Sequence, residues 1–293
     1  MATSFNPTEF KAKMRAEWGS AAAGWRRWHD VVEAEDGGKR HSAKLVELAV
    51  VGSGDTVLDV AGGYGEPSLT AARVVAPEGR VICTDISPEM LAFGKERAAK
   101  AGLNNVQFIQ GDAEQLEFPA ASFDAILSRA GLMFLPDVVG TLRRLRTFLK
   151  PRGRLAATVW GPQPTVQFTA AVPTISEALK LPPPPPGQPG IFALADLNKL
   201  ATLVKEAGYE DVKTGTIDIV FTTDSPEQYT EFIRGVAPAI AGLVDAQPSD
   251  IGERVWNKVT EGWKRFQDSD GRIRTHNQAN WVVSTNSARG RVP

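Results

Sequence analysis

Between residues 55 and 160 the chain alternates short β-branched runs with longer stretches whose apolar positions recur at helical spacing. The runs are TVLDV (56–60), RVICTD (80–85), VQFIQ (106–110), FDAILS (123–128) and RLAATVW (154–160). Runs of this length and composition predict strands, and their alternation with helices predicts an α/β fold, a parallel sheet covered on both faces. The helices between them are well punctuated. Ser87 predicts an N-cap with Pro88 at the first helical position, and Gly102 marks the exit. Between Pro136 and Lys150, Val138, Leu142, Leu145 and Leu149 form one apolar stripe. Arg143, Arg144 and Arg146 fall mostly on other faces, which reads as a solvated helix surface rather than a nucleic-acid site.

The flanks follow a different pattern. The first 50 residues read as helical, with Trp18 and Trp25 seven apart on one face and Trp28 and His29 close by. After Trp160 comes a proline-rich stretch ending in LPPPPPGQPG, expected to be extended or mobile rather than helical. Its prolines at 182–186 serve as a connector or lid, or as a ligand for an aromatic groove. A helix over 196–207 closed by Gly208 precedes a strand, VKTGTIDIVF. Residues 225–267 return to helix, opened by Ser225, Pro226 and Glu227, with Trp256 and Trp263 again seven apart. A last strand, NWVVSTN, lies near the C-terminus, and no internal repeat is visible.

Composition narrows the class. The 293 residues allow one large domain or one domain with an elaboration, and 33 basic against 34 acidic side chains give a formal charge of -1. That balance points away from nucleic acid and anionic membranes as partners. The single cysteine, Cys83, can form no internal disulfide and no multi-thiolate metal site. It fits a reducing compartment and reads as a small apolar filler of a buried strand. The start, MATSFNPTEFK, lacks a basic segment followed by an apolar run, and no stretch approaches the ~18 apolar residues of a membrane span. A soluble, cytoplasmic protein without a membrane span is expected.

The candidate chemistry begins at VLDVAGGYGEPSLTAA, which reads as a strand, a glycine-rich turn and a helix. Twenty residues after Gly65 stands Asp85, at the end of the second strand, where doubly wound folds place an acid on ribose hydroxyls. Together they predict a nucleoside-containing cofactor. Gly63, Gly65 and Ser68 match the dinucleotide pattern only in degenerate form. Asp59, just before the turn, is a poor neighbour for a pyrophosphate and a good one for an ammonium and a sulfonium, both of which S-adenosylmethionine carries. Taken singly, Asp59 and Asp112 also read as helix caps and Met90 as a core residue.

With those residues in place, the segment from about Val57 to Trp160 resembles the class I S-adenosylmethionine-dependent methyltransferases, of the type that includes the ubiquinone and menaquinone biosynthesis enzymes. The family's first motif appears as Asp59, Ala61, Gly63 and Gly65, with Ala61 replacing a glycine. The resemblance implies that Asp85 holds the ribose, Ile86 and Met90 pack on the adenine, and Asp112 and the Ala113 backbone bind the adenine edge. It implies that Ser128, Arg129 and Ala130 line the methionine end. It also implies a Rossmann-like, doubly wound sheet of seven strands, the last antiparallel, with helical cap segments at both ends. The expected organisation is an N-terminal helical lid (1–50), a cofactor domain (51–224) with a proline-rich insert (161–192), a helical substrate cap (225–275), and a final strand with its tail (276–293).

Methyl transfer from a sulfonium is an in-line displacement that needs no metal and leaves S-adenosylhomocysteine. A general base helps where the acceptor must lose a proton. His29 and His276 are the candidate bases, and His41, in the hydrophilic GGKRHSAK, is expected to be exposed. Trp18, Trp25, Trp28 and Met133 are candidate substrate contacts, while Trp256 and Trp263 read as packing. The expected partner is a small methyl acceptor, a hydroxyl or carbon of a secondary metabolite or quinone-like ring, with a small amine as the alternative. From other classes, a cofactor-binding subunit without turnover stays open, as does a nicotinamide-dependent oxidoreductase. Against the latter stands Asp59, a poor neighbour for a pyrophosphate. The pattern leaves the oligomeric state open.

Overall fold

The computed structural model describes residues 5–182 and 187–287. Its strands are β1 (Thr56–Val60), β2 (Arg80–Asp85), β3 (Val106–Gln110), β4 (Phe123–Arg129), β5 (Leu149–Trp160), β6 (Glu210–Thr223) and β7 (Ile273–Thr285). They form one sheet in the order β3-β2-β1-β4-β5-β7-β6. The pairs from β3 to β5 are parallel, and β7 runs antiparallel to both β5 and β6. The expected seven-stranded sheet is therefore present, its last strand reversed. β5 begins at Leu149 rather than Arg154, because Leu149 pairs with Phe123 across a bulge and so leaves the preceding helix.

Ten α-helices are described: α1 (Pro7–Val32), α2 (Arg40–Leu48), α3 (Ser68–Val75), α4 (Pro88–Lys100), α5 (Val138–Phe148), α6 (Ala171–Leu179), α7 (Leu197–Glu206), α8 (Pro226–Val236), α9 (Pro238–Asp245) and α10 (Ser249–Trp263). One sheet face buries Leu58, Ile126 and Leu155 against Leu142 and Leu145 of α5 and Leu200 and Val204 of α7. The other buries Val57, Val81 and Leu127 against Leu45 of α2 and Ala71 and Val75 of α3. Burial on both faces is why the strands read as nearly continuous apolar runs.

The cap sits on the C-terminal edge of the sheet. β6 and β7 pair onward to Thr223 and Ile273, beyond the last β5 pair at Trp160 and Ala279, so this pair of strands stands above its neighbours. Against it packs a second apolar cluster that includes Trp28 of α1, Phe221 of β6, Tyr229 and Phe232 of α8, and Trp263 of α10. Trp263 meets Tyr229 at 4.5 Å between ring centroids, and the Trp256 indole donates to Asp245 at 3.0 Å, so both are packing residues.

Two expectations on the flanks are corrected. The stretch after Trp160 is not uniformly extended, since it contains α6, whose one proline, Pro173, stands in the first turn where its missing N–H costs nothing. Prolines 183–186 and the tail from 288 lie outside the described residues. GGKRHSAK is not exposed at His41, which is 3% accessible. A π-type turn over Glu35–Lys39 bends the chain there. A Cβ on Gly37 would lie 2.9 Å from the carbonyl oxygens of Val32 and Val220, and one on Gly38 2.5 Å from the Glu33 carboxylate. The glycines let the turn sink onto β6 and Glu33, carrying His41 inward. Among the described residues, no helix is long and apolar enough to cross a membrane.

Candidate active site

The strand order reverses between β1 and β4, which opens a crevice at the C-terminal end of the sheet. Both strands leave it through a left-handed alanine, Ala61 at φ 57° and Ala130 at φ 58°. Such backbone costs roughly 1–2 kcal/mol for a residue with a side chain, and here it bends both chains away from the crevice. Gly63, at φ 53°, continues the turn after β1.

Beneath this turn lies Asp59. One oxygen accepts from the Ser68 amide at 3.0 Å and the Ser68 hydroxyl at 2.6 Å, tying the start of α3 to β1. The other has no partner among the described residues, and burial pushes the carboxyl up to about 7. Asp85, at the end of β2, stands at the crevice itself. Its oxygens accept separately, from the Gly63 amide at 2.9 Å and the Ser87 amide at 2.8 Å. Burial, opposed by these bonds, leaves it at about 6. After β3, Asp112 accepts from the Glu114 amide at 2.9 Å and from the Lys11 ammonium of α1 at 2.7 Å. The same ammonium donates to Glu114 at 2.9 Å. Burial works against the Lys11 charge, but the two carboxylates hold its pKa above the ordinary value.

Arg129, last in β4, is the joint between sheet and cap. Its guanidinium donates to Glu33 at 2.7 Å, the Tyr64 hydroxyl at 2.6 Å, the Ser42 hydroxyl at 3.0 Å and the Gly38 carbonyl at 3.2 Å. Tyr64 in turn donates to Glu33. Burial alone would neutralise Glu33, but the Arg129 charge keeps its carboxyl below the usual range. Next to this cluster the His41 ring lies 2.7 Å from the Thr158 hydroxyl through Nε2, and burial with the Arg129 charge drives its pKa well below the ordinary value.

These groups surround a cavity of about 430 Å³, within the range of small-molecule sites. Of the residues expected at the cofactor, Ala61, Gly63, Asp85, Ile86, Met90, Asp112, Ala113, Arg129 and Ala130 line it, whereas Asp59, Gly65 and Ser128 do not. Of the expected substrate contacts, Trp18, Trp25 and Met133 line it. Trp28 instead packs on Phe232, 5.9 Å between centroids, as part of the α1–α8 core. Neither candidate base reaches the cavity. His29 packs edge-on against Phe93 and pairs with Asp30, and the half-exposed His276 pairs with Asp218 at 2.6 Å. His41 is the histidine in the wall. The sequence carried no signal for Lys11, Glu33 or Tyr64. The adjacent glycines at 37 and 38 are the one local hint of a sharp turn at 37–41.

A methyltransferase domain model matches residues 52–179. A ubiquinone/menaquinone biosynthesis C-methyltransferase, UbiE, of Pseudomonas putida is 38% identical over 153 residues, which cover 51% of this chain and 59% of that protein. The UbiE of Ectopseudomonas oleovorans is 37% identical over 152 residues, covering 50% of this chain and 88% of that protein. The chain belongs to the class I S-adenosylmethionine-dependent methyltransferases. It spans less than two thirds of the length of the Pseudomonas putida relative. The YcgJ protein of Bacillus subtilis shares the fold, with a TM-score of 0.56 at 20% identity over 85% of this chain and 99% of that one.

The crevice fits the family's cofactor. Each Asp85 oxygen spends one lone pair on a backbone amide and keeps another for a ribose hydroxyl. The turn from Ala61 to Gly63 exposes backbone beside Met90, whose side chain closes on Gly63. Asp112 fits less simply, because Lys11 already occupies one of its oxygens.

Proposed function

We propose that this protein transfers a methyl group from S-adenosylmethionine to an oxygen or carbon of a small, flat, apolar acceptor such as a phenolic or quinone-like ring. The observation that carries this reading is the division of one cavity into two kinds of wall. The sheet side supplies the turn after β1, Asp85 and Asp112. The wall from Trp160 to Ile240 carries no charged side chain and includes Trp160, Phe168, Phe221 and Phe232.

Bound S-adenosylmethionine supplies an electrophilic methyl carbon on a sulfonium. In the proposed arrangement Asp85 holds the ribose, Ile86 and Met90 flank the adenine, and Asp112 and the Ala113 amide take its edge, with Lys11 bridging over Asp112. Arg129 and Ala130 lie at the methionine end, where the Arg129 charge faces a carboxylate. Asp59 acts from beneath, fixing the turn and lowering the cost of positive charge above it. Trp18 and Trp25, 6.1 Å apart on α1, and Met133 close the acceptor side and exclude water. The wall between Trp160 and Ile240 offers a cationic amine no carboxylate, which favours the neutral ring along that wall, while Glu17 of α1 lines the cavity beside Trp18.

The test is incubation with methyl-labelled S-adenosylmethionine and separate panels of hydroquinones, naphthols and small amines. Label transfer to the ring compounds is expected. Transfer to amines alone contradicts the acceptor assignment, and binding of S-adenosylhomocysteine without transfer to any class supports a cofactor-binding subunit.

A further inference from the structure

Beyond Glu17 of α1, the cavity's acceptor side offers few uncommitted hydrogen-bond acceptors. Between Trp160 and Ile240 the polar lining side chains are Thr169, whose hydroxyl donates to the Val166 carbonyl at 2.7 Å, and Trp160, whose indole N–H can only donate. Arg129 spends both terminal nitrogens on Glu33, Tyr64, Ser42 and Gly38, and Tyr64 is committed to Glu33. His41 differs. Its Nε2 is bonded to Thr158, while Nδ1 makes no hydrogen bond among the described residues. The His41 ring lines the cavity, and Nδ1 is not among the buried polar atoms left without a partner. The Trp160 ring stands beside it, 6.0 Å between centroids, so a flat molecule lying along Trp160 comes within reach of the imidazole.

We propose that His41 Nδ1 accepts the proton of a hydroxyl on the methyl acceptor, which makes the acceptor class a phenol or enol; this rests on the methyl-transfer reading above. The Thr158 oxygen accepts from Nε2–H, which fixes the tautomer and leaves the Nδ1 lone pair free. On transfer, a lone pair of the acceptor oxygen forms the new bond to the methyl carbon. The carbon–sulfur bond breaks with its electron pair left on sulfur, and the hydroxyl proton passes to Nδ1. One positive charge thus leaves the sulfonium as another arrives on the imidazole, so the charge beside Arg129 does not rise. Burial and the Arg129 guanidinium then disfavour the imidazolium, which returns the proton to water when the cavity opens.

The proposal is tested on the full chain saturated with S-adenosylhomocysteine, using 2-naphthol and naphthalene as probes and the quenching of tryptophan fluorescence as the readout. Wild type should bind 2-naphthol about three- to tenfold more tightly than naphthalene, the range of one net hydrogen bond. His41→Phe, which keeps an aromatic ring in the wall, should bring the ratio close to one while leaving S-adenosylhomocysteine affinity unchanged by calorimetry. Nitrogen-15 spectra of histidine-labelled wild type give a second readout that needs no variant. His41 should show a protonated Nε2 and a bare Nδ1 whose resonance moves on adding 2-naphthol and not on adding naphthalene. A protonated Nδ1, absent saturable 2-naphthol binding, or discrimination that survives His41→Phe would overturn the role of His41. Failure of wild type to bind S-adenosylhomocysteine would instead overturn the methyltransferase reading on which it rests.

Discussion

The sheet side of the cavity and its cap side are built by different physics. On the sheet side, backbone does the positioning. Strand ends converge, turns follow them at fixed places, and Asp85 and Asp112 arrive at the crevice because they end or follow strands. On the cap side, α1, α8 and the extended β6–β7 pair contribute bulky side chains with few directional groups, among them Trp18, Trp25, Phe221 and Phe232. Where recognition depends on hydrogen-bond geometry, the residue types and their spacing are constrained. Where it depends on apolar shape, many side chains serve, and the wall can change acceptor without disturbing the cofactor side. The matched family domain at 52–179 covers most of the sheet side and leaves α1 and α8 outside it.

Arg129 joins the two regions, and removing it should give the largest effect. Arg129→Met leaves Glu33 buried without its partner and should cost about 3–5 kcal/mol in denaturant unfolding. Adding Glu33→Gln to that variant should restore a substantial part. An Arg129→Met variant as stable as wild type would show that the joint carries no weight.

The next effect lies on the sheet side alone. Asp59 is raised by burial to about 7, so the folded protein keeps a proton that the unfolded chain releases near the ordinary carboxylate value. Folded protein therefore binds more protons than unfolded across that window, and stability should fall as pH rises from about 4 to about 7. The summed cost is on the order of 4 kcal/mol. Asp59→Asn keeps an acceptor for Ser68 and should reduce this slope in melts of the ligand-free protein, leaving the part that Asp85, raised to about 6, contributes. An unchanged slope would place the titration elsewhere.

Asp85→Ala should weaken S-adenosylhomocysteine binding by about 1–3 kcal/mol in calorimetry. Phe168→Ala on the opposite wall should leave that affinity unchanged while weakening acceptor binding. If both substitutions moved cofactor affinity equally, the division between the walls would fail. In the wild type, cofactor affinity should decline as pH falls below about 6, where Asp85 gains its proton.

The smallest effect is at Ala61, left-handed at φ 57°. Ala61→Gly relieves the strained backbone but adds freedom to the unfolded chain, for a net gain of up to about 1 kcal/mol. A loss would mean that the Ala61 methyl, which packs towards Gly131, matters more than the strain.

The same contrast decides what could be read from the sequence. β1, β2 and β3 fall at their predicted bounds because buried parallel strands are local apolar runs ended by turns. Asp85 was legible because a strand end fixes its place relative to Gly63. The Glu33–Arg129 pair was not, since the partners are 96 residues apart and nothing local marks either. His41 was misread because its neighbours are hydrophilic, and burial there comes from Gly37 and Gly38 settling onto β6. His29 is the first candidate base on sequence and His276 the second, yet neither α1 nor β7 turns its histidine into the cavity.

The central claim is that the turn after β1 and Asp85 form a site for the nucleoside of S-adenosylmethionine. Thermal unfolding with S-adenosylhomocysteine or NAD, in wild type and Asp85→Ala, tests it most directly. The account predicts that S-adenosylhomocysteine raises the wild-type melting temperature, that Asp85→Ala shrinks the shift at equal ligand concentration, and that NAD gives none. A shift with NAD alone would contradict it.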